Sequence, residues 1–141
     1  MKLQKLVFFV HAWSLALKDS SVLTEPPEAW QYGPVFSSLY HELKAYGSSD
    51  ISAVLQEFNP ATGRLAALVP NQSDTDFWRL FERVWERYGR FSALQLSALT
   101  HESGSPWEHA RQNQMLQMPN HLVAEYYRKK LTAQVQMHTH V

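Results

Sequence analysis

The chain contains no cysteine. That excludes disulfide cross-links, thiolate zinc sites and cysteine nucleophiles, and it fits a reducing cytosol. Glycine is scarce, with five residues, and none of them forms a phosphate-cradling loop or the Gly-x-Ser-x-Gly elbow of a serine hydrolase. An excess of either charge is also missing: Lys+Arg and Asp+Glu each total 13. The signs stay mixed along the chain, with four basic and five acidic residues in 1–50, five of each in 51–100, and four and three in 101–141. Nucleic-acid binders need a basic stripe, because phosphate contacts supply most of their affinity. Arg128-Lys129-Lys130 is the one short basic run, and three charges on one helix read as a solvated face. No nucleic-acid partner is therefore expected. The longest apolar stretch, Leu6 to Trp13, is broken by His11 and too short to span a bilayer. It also lacks the small-residue cleavage pattern of a signal peptide. These absences describe a soluble, cytoplasmic protein with no membrane partner.

What is present is hydrophobic patterning. Hydrophobic residues make up 45% of the 141 positions and aromatics 13%, enough for a proper core. With no repeat, linker or low-complexity tract, residues 1–141 read as one domain. The pattern predicts a mainly α fold of about six helices. Leu3, Leu6, Val7, Val10, Trp13 and Leu17 recur at spacings of three and four, which places them on one face of a helix ending near Lys18. A loop through Pro26-Pro27 and an extended segment, 28–32, follow. Pro34 and Gly47 bracket a second helix, as N1 proline and C-terminal glycine do. Asp50 reads as the cap of a short helix through Phe58, then a turn over 59–63 and a strand over 64–69, with its pairing left open. Phe77, Leu80, Phe81, Val84, Trp85 and Tyr88 make the cleanest stripe. Ser92 caps the next helix. Ser105-Pro106-Trp107-Glu108 reads as a capping box, and Pro119-Asn120 opens a last helix carrying Val123, Tyr126, Tyr127 and Leu131.

The tools of catalysis are thin. His41-Glu42 lacks the second histidine of a zinc helix, since that position is Ala45. His101 with His109, and His138 with His140, are pairs at most, and two histidines make a weak metal site. Thr100, His101, Glu102 and Ser105 admit a hydrolase reading, but Ser105 already serves as a helix cap. We expect no enzyme, no metal and no cofactor.

Three blocks of sequence resemble a known family. The first is Lys2-Leu3-Gln4-Lys5-Leu6-Val7-Phe8-Phe9, continued to Trp13. The second is Glu28-Ala29-Trp30-Gln31-Tyr32-Gly33-Pro34-Val35, with Leu39-Tyr40, Lys44 and Tyr46-Gly47. The third is Tyr88-Gly89, Leu96-Ser97, Leu99-Thr100-His101 and Pro106-Trp107. In this order and spacing they are similar to the Panacea, or SocA-like, antitoxin domain. The resemblance implies a mainly helical, non-catalytic domain that neutralises a cognate toxin by direct protein–protein binding, the toxin being encoded by an adjacent gene and often carried on a prophage. Members of the family commonly carry another helix ahead of the Lys-Leu-Gln-Lys block, whereas Met1 abuts it here; a short form and an upstream start are the two alternatives. Phe8 and Phe9 widen the apolar surface of the first helix, so a homodimer or the toxin is expected to cover it.

Within the matched blocks the aliphatic residues are assigned to the core. Trp30 and Trp107 are expected to be partly buried. Lys5 sits off the apolar stripe or at its edge, as do Lys2 and Gln4. His101 and Glu102 flank a helix end, and Tyr32 and Tyr40 pair a ring with a hydroxyl as interface anchors do. Lys5, Trp30, Tyr32, Tyr40, His101, Glu102 and Trp107 are thus the toxin-binding or structure-organising candidates. The competing roles are an adaptor that presents a bound protein to a protease and a small prophage-associated regulator.

Overall fold

Helix α1, Lys2–Lys18, is the axis around which the other elements pack. The computed structural model describes residues 1–46, 56–59, 61, 64–67 and 73–139, with the side chains of 45, 56–59, 64–67 and 135–139 not described. From Phe8 to Ala16 every residue of α1 is buried, so the helix has no solvent face over its middle turns, the mark of a central helix. Phe8 and Phe9 need no second molecule to cover them. Phe9 stacks on Tyr88 with centroids 4.0 Å apart, and both phenylalanines meet the edge of Tyr127. Trp13 donates its indole N–H to the Tyr88 hydroxyl at 3.0 Å.

The C-terminal end of α1 shows how the chain leaves it. Asp19 adopts a left-handed φ of 54° and returns its N–H to the Leu15 carbonyl. The Arg128 guanidinium donates to the Leu15 and Ala16 carbonyls at 3.1 and 3.0 Å, where a cation complements the negative end of the helix.

After α1 comes a hairpin: β1, Glu28–Trp30, pairs antiparallel with β2, Gly33–Val35, in the register Ala29↔Pro34. Pro34 is therefore a strand residue and not the start of the second helix; α2 spans Ser37–Leu43 and runs on as a 3-10 turn, Lys44–Tyr46. Proline fits here because its partner Ala29 sends its own N–H outward to the Leu116 carbonyl, 2.7 Å away. The expected extended segment is shorter at its end, since Gln31 and Tyr32 form the turn. Glu25 accepts from the Ser38 N–H at the start of α2.

A second hairpin joins β3, Gln56–Asn59, to β4, Arg64–Ala67. This corrects the expected helix through Phe58, which lies in β3; Asp50, Gly47, Gly63 and Val69 lie outside the described residues. Helix α3, Thr75–Tyr88, is capped by Asp74 and packs Leu80, Val84 and Tyr88 inward, leaving Phe81 and Trp85 exposed. Helices α4, Ala93–Thr100, α5, Pro106–Gln112, and α6, Asn120–Thr139, complete a mainly α architecture with six α-helices among the described residues. Ser92 and Gln95 form a full capping box. At α5 the box is half made: Ser105 accepts from the Glu108 N–H, while the Glu108 carboxylate accepts from Gly104 instead.

Candidate binding groove

The first turn of α1 carries two polar residues that point inward. Gln4 and Lys5 precede Phe8 and Phe9 by four residues each, so they share the buried side of the helix. Gln4 grips the backbone of Phe36 with both ends of its amide: Nε2 donates to the carbonyl at 3.1 Å, and Oε1 accepts from the N–H at 3.0 Å. This two-point clamp holds the end of the first hairpin extended and is why the chain does not turn helical at Pro34.

Lys5 is 1% exposed. The described residues contain three ion pairs, Arg128–Asp19, Lys129–Glu125 and Lys130–Glu102, and none includes it. Burial lowers its pKa to about 8. Its side chain runs against Gly33, whose φ is 124°. A Cβ on that glycine would stand 2.9 Å from Lys5 Cε and 3.0 Å from Thr100 Oγ1. Glycine is thus required twice, for the backbone angle and for the space.

Around Lys5 opens a groove of about 590 Å³. Trp30, Tyr32, Val35, Tyr40 and Leu43 form its walls, and Lys44 stands with Lys5 as the second cation. No acidic residue lines it among the described residues. Trp30 and Tyr40 meet edge to face at 4.8 Å, and the Trp30 indole N–H donates to Glu28 at 2.8 Å. Tyr32, at the hairpin turn, is 59% exposed.

Behind the hairpin, α4 and α5 fix its position. Ser97 Oγ donates to the Tyr32 carbonyl at 2.6 Å, Trp107 Nε1 to the Trp30 carbonyl at 2.7 Å, and Arg111 to the Ala29 carbonyl at 3.3 Å. The His101 ring stacks on Trp107, centroids 3.7 Å apart. Burial lowers the pKa of His101, and the Lys5 and Arg111 charges lower it further against an opposing contact with the Tyr32 backbone.

The candidates therefore divide. Lys5, Trp30, Tyr32 and Tyr40 line one groove, and His101 and Trp107 support its hairpin from behind. Glu102 turns instead to α6, where it accepts from Tyr126 at 2.9 Å and Lys130 at 2.6 Å. Burial raises its pKa, but these two hydrogen bonds outweigh that and hold it below the ordinary carboxylate value. Lys5 is buried in the floor and not at the edge of a stripe. Gln4, Ser97 and Arg111 carry roles that composition did not assign. The helical spacing from Gln4 to Phe8 was the available signal for the first.

The hydroxyls imagined as a hydrolase cluster are committed elsewhere. Thr100 donates to the Ser97 carbonyl at 2.7 Å, and Ser105 caps α5. No helix among the described residues is long and apolar enough to cross a membrane.

Comparison with known proteins meets the same residues. The model of the family described as "Antitoxin SocA-like, Panacea domain" matches residues 3–108, a span that runs from the floor of the groove to the α5 residues behind it. "Antitoxin SocA" of Caulobacter vibrioides (strain NA1000 / CB15N) is 35% identical over 108 residues, covering 77% of this chain. The chain spans 57% of that relative's length. No solved structure matches. The chain belongs to the SocA-like, Panacea-domain antitoxin family.

Proposed function

We propose that this chain is a cytoplasmic antitoxin that neutralises a cognate toxin by binding it directly, with the toxin docked over the groove between the start of α1, the first hairpin and α2. The observation that carries this reading is the pairing of exposed aromatic rings, Tyr32 and Tyr40, with a hairpin locked rigidly from behind. Aromatic anchors on a pre-ordered frame lose little conformational entropy on binding and dominate interface energetics. A stable complex of this kind buries about 1,200 to 2,000 Å² in total. The zero formal net charge suits recognition by shape and apolar contact over long-range steering.

The test is co-expression with the product of the adjacent gene, reading growth and co-purification together. Growth arrest by the neighbour alone, relieved by this chain in a co-purifying complex, is the expected outcome. Tyr32→Ala should weaken that complex while the melting temperature holds, because α4 bonds the Tyr32 backbone and not its ring. A harmless neighbour, or toxicity that persists beside soluble, folded antitoxin, overturns the pairing. Recovery of a protease in pull-downs supports the adaptor role instead.

A further inference from the structure

A lysine that is 1% exposed, lies outside every ion pair of the described residues and forms the floor of an open groove needs an explanation. Burying an ammonium without a counter-charge opposes folding, and an apolar residue of the same shape would fill the space better. The groove places a second cation, Lys44, beside apolar and aromatic walls, and no carboxylate lines it among the described residues. Gln4 cannot serve as the counter-group, because Phe36 occupies both ends of its amide. Thr100, beside Lys5 at Gly33, offers a neutral hydroxyl oxygen and no counter-charge. The cation is the part of the site left without a complement.

From this juxtaposition we infer that the groove is a carboxylate-binding subsite, and that its occupant is an acidic side chain of the toxin flanked by an apolar neighbour. The carboxylate meets Lys5 at the floor, and the neighbouring side chain lies against Trp30, Tyr32 and Tyr40. The inference rests on the antitoxin reading for the identity of the occupant, but not for the chemistry of the site. A charge-assisted hydrogen bond formed away from bulk water is about twice as strong as a neutral one. It also gives the interface a chemical requirement that apolar contact alone lacks.

Two measurements test it. The first uses the chain alone and two capped dipeptides, acetyl-Leu-Glu-amide and acetyl-Leu-Gln-amide, followed by NMR of the Lys5 side chain and the Trp30 indole. The glutamate peptide is expected to shift both signals and to raise the Lys5 pKa, and the glutamine peptide to do neither. Equal responses, or none at millimolar peptide, overturn the carboxylate subsite whatever the toxin proves to be. The second measurement uses the toxin complex and Lys5→Met. That variant should keep or raise the melting temperature, since it removes a buried charge, while toxin affinity falls about 10- to 100-fold, as expected for loss of a charge-assisted hydrogen bond. Unchanged affinity overturns the assignment of the toxin as occupant. Failure of the antitoxin reading itself shows separately, as a harmless neighbouring gene product, and the peptide measurement then still decides the site.

Discussion

The indole N–H of Trp107 donates to the backbone carbonyl of Trp30 across 77 positions of sequence, at 2.7 Å. The bond fastens α5 to the strand that forms one wall of the groove, and the same indole supports the His101 ring. Trp107→Phe keeps most of the packing and removes the donor. It should lower stability by about 1–2 kcal/mol, the cost of leaving a partly buried carbonyl without its partner. Chemical denaturation followed by circular dichroism reads this directly, and an unchanged midpoint would show that the bond does not hold the hairpin.

Gly33→Ala tests the narrowest place in the fold. The new methyl carbon meets Lys5 Cε at 2.9 Å and sits on a backbone with φ of 124°. The expected loss is about 1–3 kcal/mol, the scale of a forced, sparsely populated backbone conformation. Thermal melting measures it, and a variant as stable as the parent would mean that β2 rearranges freely.

The buried ammonium gives the protein an unusual alkaline profile. Below pH 8 Lys5 is protonated in both the folded and the unfolded chain, so it adds no pH dependence. Between about 8 and the ordinary value of 10.5 only the unfolded chain keeps the proton, and stability therefore rises with pH. Tyr88, Tyr126 and Tyr127 act in the opposite sense: burial raises all three, so the unfolded chain ionises first and stability falls above pH 10. Stability should climb from pH 8 to about 10 and then decline, with Lys5→Met abolishing the climb. Denaturation midpoints across pH 7–11 check both arms, and a profile that falls steadily from pH 8 contradicts this account.

His11 sets an acid limit. It is fully buried, bonds Asn120 through Nε2 at 3.1 Å, and leaves Nδ1 without a partner among the described residues. Burial lowers its pKa from 6.5, although the Asn120 bond raises it in part. As pH drops below about 6.5 the unfolded chain takes up a proton that the folded one resists, and stability is lost. His101 adds to this in the same direction. His11→Gln should flatten the loss between pH 6.5 and 5 and leave the later, carboxylate-driven loss intact, as titration of the melting temperature would show.

Two helices were legible in the sequence: α3 stands where its period puts it, with Leu80, Val84 and Tyr88 inward although Phe81 and Trp85 of the same stripe stay exposed, and α4 follows its cap Ser92. The candidate residues were legible in part, because aromatic and polar members of the matched blocks do gather at one groove. The misreadings have a common cause in long-range contact. Pro34 carries the local signature of a helix start, yet Gln4, 32 positions away, holds Phe36 extended. Phe58 fits a helix locally and pairs with Leu65 in a hairpin instead. Lys5 reads as off the apolar stripe or at its edge, yet its helical spacing from Phe9 places it on the buried side. Phe8 and Phe9 seemed to need an outside partner because Tyr88 and Tyr127, which cover them, come from distant helices.

The groove has a floor and a rim built under different constraints. Gln4, Gly33 and Thr100 interlock with the core around Lys5, so substitution of those three disturbs the fold along with any interface. Tyr32 stands 59% exposed on a turn, and Tyr40, 38% exposed on a short helix, meets Trp30 edge to face, so both rings are less constrained by the core. A lineage of such proteins can therefore exchange its rim residues one at a time without crossing a folding threshold. On the proposed antitoxin reading, that division would let one scaffold follow a toxin that changes.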